Sequence, residues 1–307
     1  MREAWRPNTR KKYACIARKW EAYCSERGRD PYQASPILMM RYLTQCFHEG
    51  LKFKSIEGIR CVLNKYVVRN VRDEQNIKQL MRGIFNKRPP MKKYAARWDP
   101  NRLLLFLRDM DITKFPSLMH KLSCLFMLLA GTRVNTLTHI KITHMYLAFD
   151  FSEVTFTFDE NLKHSRIGFN TGPITYKAFP QDIRLCPVHT LRLYLDNRPP
   201  TNVEQLFIIT ISPYTPAHPD TIARWIKTCM GRAGIDIRKY QAHSCRSAST
   251  SSALSLGLSL DTILKSAGWA SRSTFEKHYN LAEDTDESLS LGDVLLLNNH
   301  KQYGHKL

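Results

Sequence analysis

The sequence predicts a helix-rich α+β fold in two domains. Apolar residues recur at the helical period along most of the chain, the period changes to two only between residues 145 and 176, and basic charge crowds into the first third. At 307 residues the chain can bury a large core, and this length ordinarily splits into two domains.

The first third reads as four short helices. Residues 8–27 place Tyr13, Ile16, Trp20 and Tyr23 at helical spacing, with Asn8 or Thr9 as cap and Gly28 as stop. A second helix opens at Ser35-Pro36 and ends at Gly50, and a third is predicted from a Ser55 cap to about Asn70. The fourth carries Ile77, Leu80, Met81, Ile84 and Phe85. Residues 86–98 (NKRPPMKKYAARW) hold two prolines and a run of lysines and arginines without helical period, which is the composition of a basic linker. The predicted organisation is a helical domain over 1–85, the linker over 86–98, a second domain over 99–285 and a tail over 286–307.

In the second domain Asp99-Pro100 caps a helix, Pro116 opens an apolar helix ending near Gly131, and Arg133 to His139 continues as helix or turn. Met145–Leu147, Val154–Phe158 and Ile174–Tyr176 alternate as strands of one small antiparallel sheet, with a polar turn over 160–165. Helices follow at about 187–197, 220–231, 243–256, 259–267 and 272–281.

Charge narrows the function classes. The formal net charge is +19, and residues 1–98 hold 23 Lys and Arg against 8 Asp and Glu, a surplus of 15. Such a surface releases condensed counterions on meeting a polyanion, so the first third is a nucleic-acid-binding candidate. A membrane surface is the weaker partner, because no Trp/Phe/Leu face accompanies the charge. The longest apolar runs stop short of a bilayer span and residues 1–18 lack a signal-peptide core, which predicts a soluble intracellular protein. Eight cysteines sit mostly in apolar helical patterns with no CxxC pair, as expected of reduced core thiols. The lone Cys186-x-x-His189 and the nearby His243 and Cys245 lack the second half that a zinc site needs, so no metal is expected.

The second domain collects residue types that handle phosphate: Arg133 after a buried helix, Lys163 in the strand turn, His243-x-x-Arg246, and Tyr279 in the last amphipathic helix. His243 and Arg246, three apart, share a helix face. Each has an ordinary structural explanation by itself: Tyr279 as a core aromatic beside Phe275, Arg133 as a helix C-terminal charge, Lys163 as a solvated turn residue. Spacing leaves these alternatives open.

The segments AGTRVNTLTHI around Arg133, HSCRSASTSSALSLG around His243 and Arg246, and SLDTILKSAGWASRSTFEKHYN around Trp269 and Tyr279 resemble, in order and separation, the three C-terminal boxes of the tyrosine recombinase/phage integrase superfamily. The resemblance spans about residues 5–285. Within it, KRPPMKKYAARWDPNRLLLFL, CPVHTLRLYL and the GW-S-TFEKHY ending look most like recombinases of DIRS-type or Ngaro-like eukaryotic retrotransposons, with Crypton elements related.

The resemblance implies an N-terminal four-helix core-binding domain, a catalytic domain, and a metal-independent enzyme without cofactor or small-molecule substrate. It implies a double-stranded DNA partner, a homotetrameric synapse, and a nuclear location in a eukaryotic host. Carried over position by position, the catalytic set is Arg133, Lys163, His243, Arg246, Trp269 and Tyr279, with Tyr279 as nucleophile. Many members have histidine at the Trp269 position, where an indole can donate a hydrogen bond but cannot transfer a proton. Lys177 on the next strand is the alternative catalytic lysine, because the turn varies in length. The rival functions are a type IB topoisomerase-like activity and a DNA-binding protein derived from a mobile element with catalysis lost. The tail, with Leu289, Leu291 and Val294 to Leu297, would either fold back or dock into a neighbouring subunit.

The charge distribution predicts that DNA affinity falls steeply with salt, and that deleting residues 1–85 flattens the plot of log affinity against log salt. Affinities measured across a salt series check this; an unchanged slope would place the surplus charge in solvent.

Overall fold

The computed structural model describes residues 5–67, 71–91, 94–159, 162, 172–269 and 271–283. Lys163 and the apolar tail lie outside the described residues. The chain divides into two compact units, Met1–Lys93 and Tyr94–Leu307.

The first unit holds α1 (Pro7–Ser25), α2 (Pro36–His48), α3 (Phe53–Leu63) and α4 (Val71–Lys87). Pro7 and Pro36 stand in the first turns of α1 and α2, where no backbone donor is missed, and the Ser35 hydroxyl accepts from Leu38 N at 3.3 Å. Trp20, Met39, Leu43, Ile56, Leu63 and Ile77 form the core. Trp20 also keeps a polar partner, its indole donating to Pro31 O at 3.1 Å. Two expected boundaries move. Arg6, not Asn8 or Thr9, occupies the cap position of α1. The third helix starts at Phe53 with Lys52 in the cap position and no side-chain cap, and it ends at Leu63. Its buried residues Ile56, Ile59, Val62 and Leu63 set that span, leaving Ser55 inside the first turn.

The second unit opens with α5 (Pro100–Arg108), where the Asp99 carboxylate accepts from Asn101 N at 2.9 Å. Then come α6 (Phe115–Ala130), α7 (Val134–Leu137), strands β1 (Met145–Leu147), β2 (Glu153–Phe156) and β3 (Ile174–Lys177), and helices α8 (Pro187–Asp196) and α9 (Pro219–Arg232). The series closes with α10 (Ser244–Ser255), α11 (Leu260–Ala267) and α12 (Arg272–His278). The sheet is antiparallel in the order β1-β2-β3, with Met145 opposite Phe156 and Val154 opposite Tyr176. Alternation buries Val154, Phe156, Ile174 and Tyr176 on one face. That face packs on α6: Tyr176 stacks on Phe126 at 4.0 Å and donates its hydroxyl to Phe126 O at 3.0 Å. The sheet thereby fixes α6, whose C-terminus delivers Gly131 and Arg133. With twelve α-helices and one three-stranded sheet among the described residues, the architecture is the helix-rich α+β class expected.

The stretch 86–98 is not uniformly a linker. Arg88 donates to the carbonyls of Phe47 and Leu51 at 3.1 and 2.9 Å, closing the C-terminal end of α2. Arg97 and Trp98 are buried in the second unit. The last helix ends at His278 rather than 281, with Tyr279 in the C-cap position. No helix among the described residues is long and apolar enough to cross a membrane.

Helix α6 buries nearly its whole circumference, including Lys121 at 1% exposure. Burial pushes the Lys121 ammonium below its ordinary value and Arg184 adds to this, while Asp182 and Asp109 pull the other way. Lys121→Met should therefore raise the melting temperature at neutral pH by a few degrees, the shift that about 1 kcal/mol produces in a domain of this size. With the folded value depressed, the unfolded chain binds more protons in that window, so wild-type stability climbs with pH and the margin of the variant shrinks as pH approaches about 10. Melting curves across pH check this; a variant melting below wild type at neutral pH would refute it.

Candidate active site

Two helices end at left-handed glycines that organise the site. Gly131 closes α6 at φ 56° and Gly268 closes α11 at φ 63°, a conformation that favours glycine and leaves terminal carbonyls pointing outward. Arg246, in the first turn of α10, sits between these ends with 1% exposure. Its guanidinium donates to Gly131 O, and through Nη2 to Ala267 O at 2.7 Å. Carbonyls at helix C-termini carry partial negative charge, so they are suitable anchors for a cation. The Trp269 ring lies 4.0 Å from Cζ of Arg246, adding a cation–π contact.

These neutral partners do not neutralise the guanidinium, and among the described residues no carboxylate pairs with it. Its Nε and the Trp269 Nε1 are buried without a hydrogen-bond partner there. Burial, then the charge of Arg133, push Arg246 down to about 9, which leaves it protonated at neutral pH. A buried cation without a counter-charge is costly, and a bound anion would relieve the cost.

Tyr279 follows α12. Phe275, fully buried on α12, anchors that short helix, and Tyr279 N donates back to Phe275 O at 2.8 Å. The Tyr279 ring rests 4.6 Å from Trp269, its main-chain carbonyl accepts from the Ser251 hydroxyl of α10, and its own hydroxyl lies 3.2 Å from Nε2 of His243. His243 occupies the cap position of α10 and is exposed, whereas Arg246 three residues on is sealed. The shared face expected from their spacing therefore runs from solvent into the interior.

Arg133, half-buried in the cap position of α7, borders two cavities. The larger, about 830 Å³, is an open cleft that it shares with His243 and Tyr279. The smaller, about 380 Å³, it shares with Arg246, Trp269 and Thr175 of β3. The structure thus brings Arg133, His243, Arg246, Trp269 and Tyr279 into one neighbourhood. Lys177, on β3, is exposed and borders neither cavity.

Sequence reasoning missed Arg224 and Lys227 of α9, which line the cleft and add basic charge to it. Their spacing of three on one helix face was the available signal. The lone Cys186-x-x-His189 is a helix cap: Cys186 Sγ accepts from His189 N at 3.4 Å at the start of α8. Near His243, Cys245 is fully buried and approaches Met230 instead. Among the described residues no group of three or more His, Cys, Asp or Glu could hold a metal ion.

No protein-family model and no curated protein matches this sequence. Solved structures do share its fold. The Tn1549 transposon integrase in complex with circular intermediate DNA matches at TM-score 0.58 and 13% identity, over 96% of this chain and 94% of that one. A lambda integrase dimer bound to a COC′ core site matches at 0.57 and 14%, over 93% and 92%. The XerH site-specific recombinase bound to difH substrate matches at 0.55 and 14%, over 80% and 67%. The chain has the fold of the tyrosine recombinases.

Gly131 carries a direct stability test. A Cβ there would come within 2.8 Å of Thr250 Cγ2, and φ is left-handed. Gly131→Ala should cost more than about 1 kcal/mol, and adding Thr250→Ser, which removes Cγ2 but keeps the hydroxyl, should recover part of the loss. Denaturant titrations check this; equal stability of the single and double variants would show that the clash contributes nothing.

Proposed function

We propose that the chain is a site-specific tyrosine recombinase that cuts and rejoins double-stranded DNA through a 3′-phosphotyrosyl link to Tyr279. The observation that carries the proposal is the buried Arg246, which no carboxylate among the described residues neutralises, lining one cavity with Arg133 and lying 5.4 Å from the Tyr279 ring. The shared fold and the basic first unit support the same reading.

In this mechanism the Tyr279 oxygen attacks a backbone phosphorus and its proton passes to His243, whose Nε2 stands 3.2 Å away. Extra negative charge gathers on the non-bridging oxygens, where Arg133 and Arg246 supply donors that are charged at neutral pH and Trp269 offers its unpaired indole N–H. The phosphorus bond to the 5′ oxygen breaks as that oxygen takes a proton from Lys163, or from Lys177 if the turn aligns differently. Products are a phosphotyrosine and a free 5′ hydroxyl. Attack by a 5′ hydroxyl from another strand reverses the steps, so neither ATP nor metal is needed.

Joining two duplexes this way uses four active sites, hence a homotetramer on DNA. The sequence resemblance to DIRS-type and Ngaro-like elements makes integration of a mobile element the proposed role, with the nucleus as its site in a eukaryotic host. A topoisomerase-like enzyme would form the adduct without synapsis, and a domesticated DNA-binding protein would form none.

Tyr279→Phe should bind a nicked suicide duplex normally and form no covalent adduct; a phosphotyrosine bond in that variant would sink the assignment. Arg133→Ala and Arg246→Ala should each lose about 10²-fold or more in cleavage, as when one transition-state donor is removed. A 5′-bridging phosphorothiolate should rescue whichever of Lys163→Ala and Lys177→Ala removes the acid, since a thiolate leaves unprotonated.

A further inference from the structure

Residues 94–98 follow directly on the boundary between the units, and Tyr94, Arg97 and Trp98 among them make specific side-chain contacts within the second unit. Arg97 is 6% exposed and its Nη2 pairs with Glu283 Oε2 at 2.7 Å. Nη2 also reaches Ser255 Oγ at 3.5 Å, while Arg97 N donates to Ala282 O at 2.7 Å in a short parallel bridge with residue 283. The partner segment is the chain immediately after Tyr279. Helix α10 holds the same segment: the Ser251 hydroxyl donates to Tyr279 O and accepts from Leu281 N at 3.1 Å.

The same five residues also hold the loop before His243. Trp98, 4% exposed, donates its indole N–H to Ser244 Oγ at 2.8 Å, and Ser244 Oγ donates to Gln241 O at 2.7 Å. The Tyr94 hydroxyl accepts from Gln241 N at 3.3 Å, and the Tyr240 hydroxyl donates to Ala96 O at 3.3 Å.

We propose that Arg97 and Trp98 are positioning residues, a clip that sets where Tyr279 and His243 stand relative to each other. Helix α12 alone does not fix Tyr279, because it is seven residues long and Tyr279 lies past its end. The residues that follow are tied by the Ser251 hydroxyl and by Arg97. With Arg97 buried and Glu283 half-exposed, the pair adds little net stability, and its part in the clip is to hold residue 283 in register with Arg97. The proposal rests on the recombinase reading only in supposing that the His243–Tyr279 geometry matters to a reaction.

The test compares Arg97→Met, Arg97→Lys, Glu283→Gln and Trp98→Phe in the full chain. It measures single-turnover adduct formation on saturating nicked duplex, DNA affinity, and hydrogen exchange by peptide. Arg97→Met should slow adduct formation about 10- to 100-fold, the scale of an ångström-size misplacement, with DNA affinity held within about two-fold. Exchange should quicken in residues 279–283 and stay unchanged in α6; Arg97→Lys should recover part of the rate, and Trp98→Phe should quicken exchange in residues 240–244 instead. If Arg97→Met fails to fold, Glu283→Gln alters the half-exposed partner and should give the same rate loss and the same local exchange. Wild-type cleavage by a folded Arg97→Met or Glu283→Gln, or exchange that rises across the whole second unit, overturns the clip. A wild-type chain that forms no adduct defeats the recombinase reading, and the exchange pattern still decides whether the clip exists.

Discussion

The site depends on how one buried cation is held. Arg246 cannot sit in the interior without oxygen partners, and the oxygens that meet it are the carbonyls at the ends of α6 and α11. Both helices therefore have to stop at those places, which is why each ends in a left-handed glycine, and both ends have to face α10. The sheet packed on α6 and the small cluster of Ile263, Ala267, Trp269 and Phe275 are what keep those ends in register. Charge at the centre is thus held by carbonyl dipoles and the Trp269 ring, without a carboxylate among the described residues, beside the cavity that Arg133 and Arg246 share.

The basic surplus divides into two physical populations. Some of it, such as Arg88 and Arg97, closes helix ends or pairs with Glu283 and belongs to the fold. Others among the described residues, such as Lys11, Lys12, Arg18, Lys19 and Arg41, are exposed and available to a polyanion. Composition counts the two together, since a guanidinium bound to two carbonyls contributes the same formal charge as one in water.

The fold was legible wherever the deciding interactions are local. Ser35-Pro36, Asp99-Pro100 and Gly131 announce helix limits through their own backbone and side-chain chemistry, and the change of period marks β1 to β3 because alternate residues there meet α6. The start of α3 was misread because no side chain caps it and its span follows from burial of Ile56, Ile59 and Leu63 against other helices. The candidate site was legible mainly through the wording of three segments. Periodicity alone made Tyr279 a second core aromatic, and it does pack beside Trp269, so that reading captured its ring and not its hydroxyl. Arg97 and Ser251 left no local trace, for their partners are distant in sequence and their residue types suit a surface equally well.

The contrast in depth between His243 and Arg246 has a chemical consequence. In the proposed mechanism the proton acceptor, His243, stands in solvent and shares its task with whatever is dissolved around it, so small bases such as free imidazole can diffuse to the place of a missing His243 ring. The Arg246 guanidinium is instead placed by the carbonyls at the ends of α6 and α11 and by the Trp269 ring, contacts that a dissolved guanidinium would have to find without the α10 backbone to hold it there. One functional group of the pair is exchangeable with the medium; the other is replaceable only by rebuilding the protein around it.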